Sequence, residues 1–494
     1  MKTVVIGGGF GGLACALRAT AKGHEVTLIE KKTELGGRAQ VFERNGFIFD
    51  AGPTVVTAPF LFDELFSLFG KNRQDYITFI PLSPWYQFYF SDDKTRFNYG
   101  GTIENTLDEI EKISPDDVSG YLKLIEHSRK IYKVGFEQLA DQPFHRLMTM
   151  LAQVPHLIKL RADRSVWKMV SRYLKNDKLR QAFSIQPLLV GGNPFSTTSI
   201  YGLIHYLERQ YGISFAKGGT GAIVESLRQL MLDVGITIKT ETTMVSANIS
   251  GKCISSITLN DGETLSADNF IYNGDPLFLY QQLLPQSRQK MSIRLKTEKS
   301  QRSMGLYVLF FGTKAQYPNV EHHTIWLGKR YEELLKEIFA EKDMPDDFSL
   351  YLHRPTATDA SFAPKGCDSF YVLAPVPNLR ANINWQTEEP KLRKKIIDAL
   401  DKTLLPNLKQ TITSVFSMTP EDFKADYLSE DGAGFSISPK FTQSAWFRFH
   451  NRSEVYNNLF LVGAGTHPGA GMPGVLSSAK VVERLLPDSQ TDLP

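Results

Sequence analysis

Along the first thirty residues the spacing of apolar positions changes twice. Val4, Val5 and Ile6 form a short continuous apolar run, as in a strand covered on both faces. The stretch Gly7-Gly8-Gly9-Phe10-Gly11-Gly12 follows, and then Leu13, Ala14, Ala16, Leu17 and Ala21 recur at helical spacing up to Lys22. A second apolar strand over residues 25–29 completes a strand, turn, helix, strand unit. Alternation predicts one strand over residues 42–49, and Phe62, Leu65, Phe66 and Phe69 mark an amphipathic helix over 60–70. Residues 84–90, Pro-Trp-Tyr-Gln-Phe-Tyr-Phe, read as an extended aromatic segment suited to a pocket wall.

From residue 103 to about 209 the helical period dominates, with a break at 188–194. Strands are predicted over 236–240, 244–249 and 253–259, with Asp261-Gly262 as a hairpin turn, and over 270–273. Strong apolar strands follow over 306–312 and 369–376, and the chain ends on another strand, glycine-rich turn and helix over 458–485. The expected fold is α/β: a Rossmann-like cofactor domain built discontinuously from 1–75, 215–285 and 440–494, an α+β substrate domain from 76–100 and 286–439, and a helical region over 101–214.

The chemistry of the first turn follows from its glycines. Gly7 permits the tight turn, Gly9 lets the backbone approach a pyrophosphate, and Gly12 lets helix and strand pack closely, so that phosphates meet the helix N-terminus. Glu30 ends the second strand, where a carboxylate can hydrogen-bond an adenosine ribose. Lys217-Gly218-Gly219-Thr220-Gly221 also opens a helix, but Val224 stands where a third glycine would be needed, so no separate nicotinamide module is expected.

The chain has 494 residues, enough for two or three domains, and its formal charge of +3 gives no general pull toward nucleic acid. Cys15, Cys253 and Cys367 show no CxxC spacing, and the ten histidines show no metal spacing; His322 and His323, adjacent on one strand, are expected on opposite faces. No metal is therefore expected. The first residues hold too short an apolar run for a signal peptide, and no segment is apolar enough to span a membrane. Residues 143–180 nevertheless carry nine basic side chains against two acidic ones, interleaved with Leu147, Met148, Leu151, Val154, Ile158 and other apolar residues. Basic amphipathic helices of this kind lie on anionic lipid; the competing reading is a solvated basic face over an internal core.

Leu35-Gly36-Gly37-Arg38, directly after Glu30, resembles the extended dinucleotide motif of the amine oxidase and carotenoid desaturase superfamily. The terminal run Gly463-Ala-Gly-Thr-His-Pro-Gly-Ala-Gly-Met-Pro-Gly474 is similar to the C-terminal signature of the bacterial carotenoid desaturases, in the carotenoid/retinoid oxidoreductase family, with Met472 where isoleucine is common. Residues 47–55, 188–199, 217–222 and 443–450 share the likeness, which covers essentially the whole chain. The resemblance implies FAD as the redox cofactor, held at Gly7, Gly8, Gly9, Gly12, Glu30, Lys31, Gly37, Arg38, Gly52, Pro53, Thr54, Val245, Gly465, Gly474 and Val475. It further implies a carotenoid hydrocarbon substrate, with conversion of 15-cis-phytoene to all-trans-lycopene. Peripheral contact with the inner face of the cell membrane from the cytoplasm, and oxygen or a quinone as terminal acceptor, also follow from it. No catalytic base is assigned; His467, in the flavin-adjacent loop, is the one candidate, against a plain backbone-bonding role. Alternatives of the same chemistry are desaturases that act on diapophytoene or form neurosporene or didehydrolycopene. A non-catalytic isoprenoid escort of the Rab GDP dissociation inhibitor kind lacks an intact flavin site, and an amine oxidase needs an aromatic cage.

Overall fold

The computed structural model describes residues 1–489; the last five residues of the expected 440–494 segment lie outside the described residues. Its first sheet has five parallel strands in the order Leu459–Leu461, Asn269–Tyr272, Lys2–Ile6, Glu25–Ile29, Thr237–Lys239. Three distant parts of the chain thus share one sheet. The central strand is buried from Thr3 to Ile6 apart from a trace at its edges, which is why it reads as an unbroken apolar run.

The helix Phe10–Ala21 covers one face of this sheet and packs on the last helix, Met472–Leu485, through Leu13, Leu17, Leu476, Ala479 and Val482. The first and last segments of the chain are in this way tied together, and the Arg18 guanidinium, buried between Glu64 and Glu483 at 3.0 and 2.7 Å, secures the contact.

A second sheet of seven strands runs Ile412–Met418, Gly305–Thr313, Asp368–Val376, Leu350–His353, His323–Leu327, Tyr86–Phe90, Arg96–Tyr99. All its pairs are antiparallel except His323–Leu327 with Tyr86–Phe90. The aromatic stretch is fully buried in it, and Tyr86 reaches the cavity described below.

The single strand expected over 42–49 is instead a hairpin of Val41–Arg44 and Phe47–Asp50. Asn45 and Gly46 have φ of 53° and 80°, the left-handed pair of a two-residue turn that Asn-Gly adopts without strain. The helical region is present as Ile103–Ile113, Val118–Gly135, Leu147–Lys159, Val166–Ser171, Asp177–Ser184 and Leu203–Tyr211. Thr102 and Asn105 form a reciprocal capping box at the start of the first of these.

Candidate active site

One long cavity runs from the carboxyl ends of the parallel sheet, between the seven-stranded sheet and the helical region. At its polar end stand twelve of the fifteen residues expected to hold a cofactor: Gly7, Gly9, Glu30, Lys31, Gly37, Arg38, Gly52, Pro53, Thr54, Gly465, Gly474 and Val475. Gly8 and Gly12 lie behind this wall. The Gly8 amide donates to Glu30 Oε2 at 2.7 Å, and Lys32 donates its backbone N–H to Glu30 Oε1 at 2.9 Å, so the carboxylate ties turn and strand end together. Val245 does not join them: its side chain is exposed and outside the lining, and the neighbouring Thr242, Thr243 and Met244 take that place.

Several residues that fix this end are invisible to motif reading. Asn273 Nδ2 donates to the carbonyl oxygens of Gly7 at 3.1 Å and Gly9 at 3.3 Å, clamping the glycine turn from the neighbouring strand. Arg448 is fully buried and donates to the carbonyls of Ala464 at 2.6 Å and Thr466 at 3.0 Å, which shapes the second glycine-rich loop. Asp275 accepts from Leu277 N–H, Ser436 Oγ and Glu430 N–H, while burial raises its carboxyl above the usual range.

This end fits an anionic dinucleotide. Arg38 donates from Nη2 to Ser429 Oγ at 3.1 Å, its Nε has no hydrogen-bond partner, and it makes no ion pair among the described residues. Of the other arginines set among buried side chains, Arg18, Arg302 and Arg354 each face a carboxylate, and Arg448 is surrounded by backbone carbonyls. Burial lowers the Arg38 pKa, so an anion at this point relieves an uncompensated charge. Two helix N-termini open on the same space. Neither Gly9, ahead of Phe10–Ala21, nor Gly471, ahead of Met472–Leu485, has a side-chain cap, so backbone N–H groups are free for phosphate or flavin oxygens.

Away from the dinucleotide end the wall is apolar: Val134, Phe136, Leu157, Ile185, Leu203, Leu306, Ile325, Leu335, Ile338 and Leu373 contribute to it. One acid stands among them. Glu208 is fully buried, receives a weak hydrogen bond from Tyr86 OH at 3.4 Å, and has an unpartnered Oε2; burial pushes its carboxyl up to about 8. His467 lines the cavity too, but its Nε2 pairs with the Leu139 carbonyl at 3.0 Å, and burial lowers its pKa to about 4. It is a loop histidine bonded to backbone, and so weak a base takes up no proton near neutrality.

The histidine expectation also changes. His322 precedes the strand His323–Leu327 rather than lying in it, so its ring turns to within 4.6 Å of the His323 ring, centre to centre. His323 pairs directly across the sheet with His353, and the three imidazoles form a buried cluster.

A nucleotide fold with an unpaired arginine, two uncapped helix ends and an apolar tunnel defines an FAD-dependent oxidoreductase. The chain belongs to the flavin containing amine oxidoreductase family, whose sequence profile matches residues 10–482, and its redox cofactor is FAD. It is 44% identical over 487 residues to the lycopene-forming phytoene desaturase of Pantoea ananas, covering 98% of each chain. It is 39% identical to the neurosporene-forming phytoene desaturase of Rhodobacter capsulatus, over 99% of this chain and 94% of that one. An oxidoreductase from Methanosarcina mazei shares the fold at a TM-score of 0.66 and 16% identity, over 98% of this chain and 100% of that chain.

Proposed function

We propose that the chain is a desaturase that converts 15-cis-phytoene to all-trans-lycopene by successive removals of hydride and proton. The observation that carries this reading is the continuity of one cavity from the Gly7, Glu30 and Arg38 wall to a lining of aliphatic and aromatic side chains. A long hydrocarbon offers no polar handle, so its recognition rests on apolar burial, at about 0.8 kcal/mol per CH₂. The similarity to the Pantoea ananas enzyme points to the same substrate and product.

Bound FAD supplies the hydride acceptor. The twelve expected residues that line the cavity would hold it, with Thr242, Thr243 and Met244 in place of Val245 at the nucleotide end. The apolar walls exclude water and orient the chain of the substrate, so that charge developing on it meets no nucleophile. Glu208 is our candidate for the proton acceptor. Only its ionised fraction, which grows as pH rises toward about 8, can take up the proton. Oxygen or a quinone would complete the cycle.

We place the membrane contact on the helix Leu147–Lys159. Met148, Ile158, Leu151, Leu147 and Val154 are exposed on it, while Met150, Gln153 and Leu157 of the same helix line the cavity. Arg146, Lys159, Arg161, Arg164 and Lys168 surround it with exposed positive charge. This geometry fits a substrate that passes from the cytoplasmic leaflet into the tunnel. By contrast Leu160, Val166, Met169 and Val170, from the same basic stretch, are buried and belong to the internal core. No helix among the described residues is long and apolar enough to cross a membrane.

Cells that accumulate phytoene and express this chain test the reading through their extracted pigments. Lycopene is the expected product; unchanged phytoene rejects the activity, and accumulated neurosporene rejects the step count alone.

A further inference from the structure

The histidine cluster has features that neither the fold nor the flavin site requires. His322, His323 and His353 are all buried, and one ligand-capable nitrogen from each lies within 4.8 Å of the others. Their ring centres are 4.6, 4.8 and 5.4 Å apart. With imidazole nitrogens about 2.1 Å from a tetrahedral ion, three ring centres stand roughly 5 Å apart. The rings are therefore already near that spacing, and closure needs a shift of about an ångström at the nitrogens.

The hydrogen bonds select one nitrogen on two of the rings. His322 Nδ1 is engaged with Thr358 Oγ1 at 2.6 Å, and His323 Nδ1 with Tyr351 OH at 2.8 Å. Nε2 of both, and both nitrogens of His353, have no partner among the described residues. A hydrogen bond at the remote nitrogen is the usual way in which a metal-binding imidazole is oriented. A carboxylate stands beside one ring of the three: Asp50 Oδ2 is 3.6 Å from His353 Nε2 and unpartnered, while Oδ1 is fixed by the Thr220 N–H at 2.9 Å. Leaving so many buried polar atoms unpaired costs about 1–3 kcal/mol for each. A single ion would satisfy four of them together.

We propose that His322, His323 and His353, with Asp50 as the fourth donor, bind one zinc ion. Three imidazoles and a carboxylate suit a borderline divalent ion, and a closed set of four protein donors is the form of a structural site. The ion would pin the strand ends at His323 and His353 to the hairpin Phe47–Asp50. Through Tyr351 OH, which is 2.6 Å from Thr54 Oγ1, it would also stiffen a cavity wall, since Tyr351 and Thr54 both line the cavity.

The test uses the full-length flavoprotein from zinc-supplemented cells, washed with a chelator to remove loosely held ions and assayed for metal by elemental mass spectrometry. About one zinc per chain is expected. The His353→Gln and His322→Ala variants should fall to background while they retain flavin. Wild-type protein at background, or variants with undiminished zinc, overturn the proposal. Should the variants fail to fold, X-ray absorption at the zinc edge of the wild-type protein decides: a nitrogen and oxygen shell at about 2.0–2.1 Å supports the site, and a sulfur or fully hydrated shell rejects it.

Discussion

Gly12 and Gly7 are in such close contact that a Cβ on Gly12 would lie 2.0 Å from the Gly7 carbonyl oxygen. The helix Phe10–Ala21 therefore seats on the turn only if position 12 has no side chain. Gly12→Ala must push the helix N-terminus away from the turn or break the Asn273 bond to Gly7, at a cost of about 1–3 kcal/mol in overpacking. We expect the purified variant to be nearly colourless and to melt at a lower temperature. A variant with full flavin absorbance would show that the turn does not need this approach.

Arg38 lines the cavity with neither a carboxylate nor a set of carbonyls around its guanidinium, so its removal should act on the cofactor more than on the fold. Arg38→Met keeps an unbranched apolar stem and takes away the charge. A charge-assisted hydrogen bond contributes about 1.5–3 kcal/mol, so FAD affinity should fall by about tenfold to a hundredfold. Fluorescence titration of apoprotein with FAD measures this. Unchanged affinity would mean that the phosphates are held by backbone amides alone.

Much of this end of the molecule could be read from the chain because its parts are contiguous. Gly7 to Gly12, Glu30 and Arg38 lie within one short stretch, and strand, turn and helix each have their own periodicity. The strands Asn269–Tyr272 and Leu459–Leu461 were legible as apolar runs beside turns, and the structure sets both next to Lys2–Ile6. What escaped depends on register between distant segments. Asn273 is an ordinary polar residue at a strand end until pairing brings it under Gly7, and His353 meets His323 only across an antiparallel ladder. Arg448 looks like a surface cation, yet it is buried because loop carbonyls take every direction of its guanidinium. Asn45-Gly46 was readable as a turn, and the strand expected over 42–49 ran through it. The apolar residues of 143–180 divide between core and surface by helix phase, which composition does not encode.

Glu208 gives a pH dependence of definite sign. Its carboxyl titrates at about 8 in the fold against a reference of 4.5, because burial outweighs the attraction of Arg209 and the weak hydrogen bond from Tyr86. Between those values the unfolded chain has released a proton that the folded chain retains, so this group lowers stability as pH rises, by up to about 1.4 kcal/mol per pH unit. The effect is absent below the lower value and constant above the higher one. Glu208→Gln removes it. The melting temperature of the variant should therefore gain on that of the wild type from about pH 5 to pH 8, and parallel curves would place an ionised carboxylate in the cavity.

The helix Leu147–Lys159 offers a different kind of test, since its exposed apolar face and its cavity face are separable. Met148 and Ile158 are 73% and 70% exposed, and neither lines the cavity. Met148→Glu with Ile158→Glu replaces two apolar contacts by charges of the same sign as an anionic lipid surface, and leaves Met150 and Leu157 in place. Each side chain withdrawn from the interface forfeits burial of about 1.5–3 kcal/mol at most, and the added charges oppose the nearby Arg146 and Lys159. Sedimentation with vesicles of anionic phospholipid should fall at least tenfold relative to the wild type, with flavin content unchanged. Wild-type binding should also weaken with added salt, because the basic rim acts through screened charge. If the double variant sediments as the wild type does, the docking face lies elsewhere on the molecule and this helix is only part of the tunnel wall.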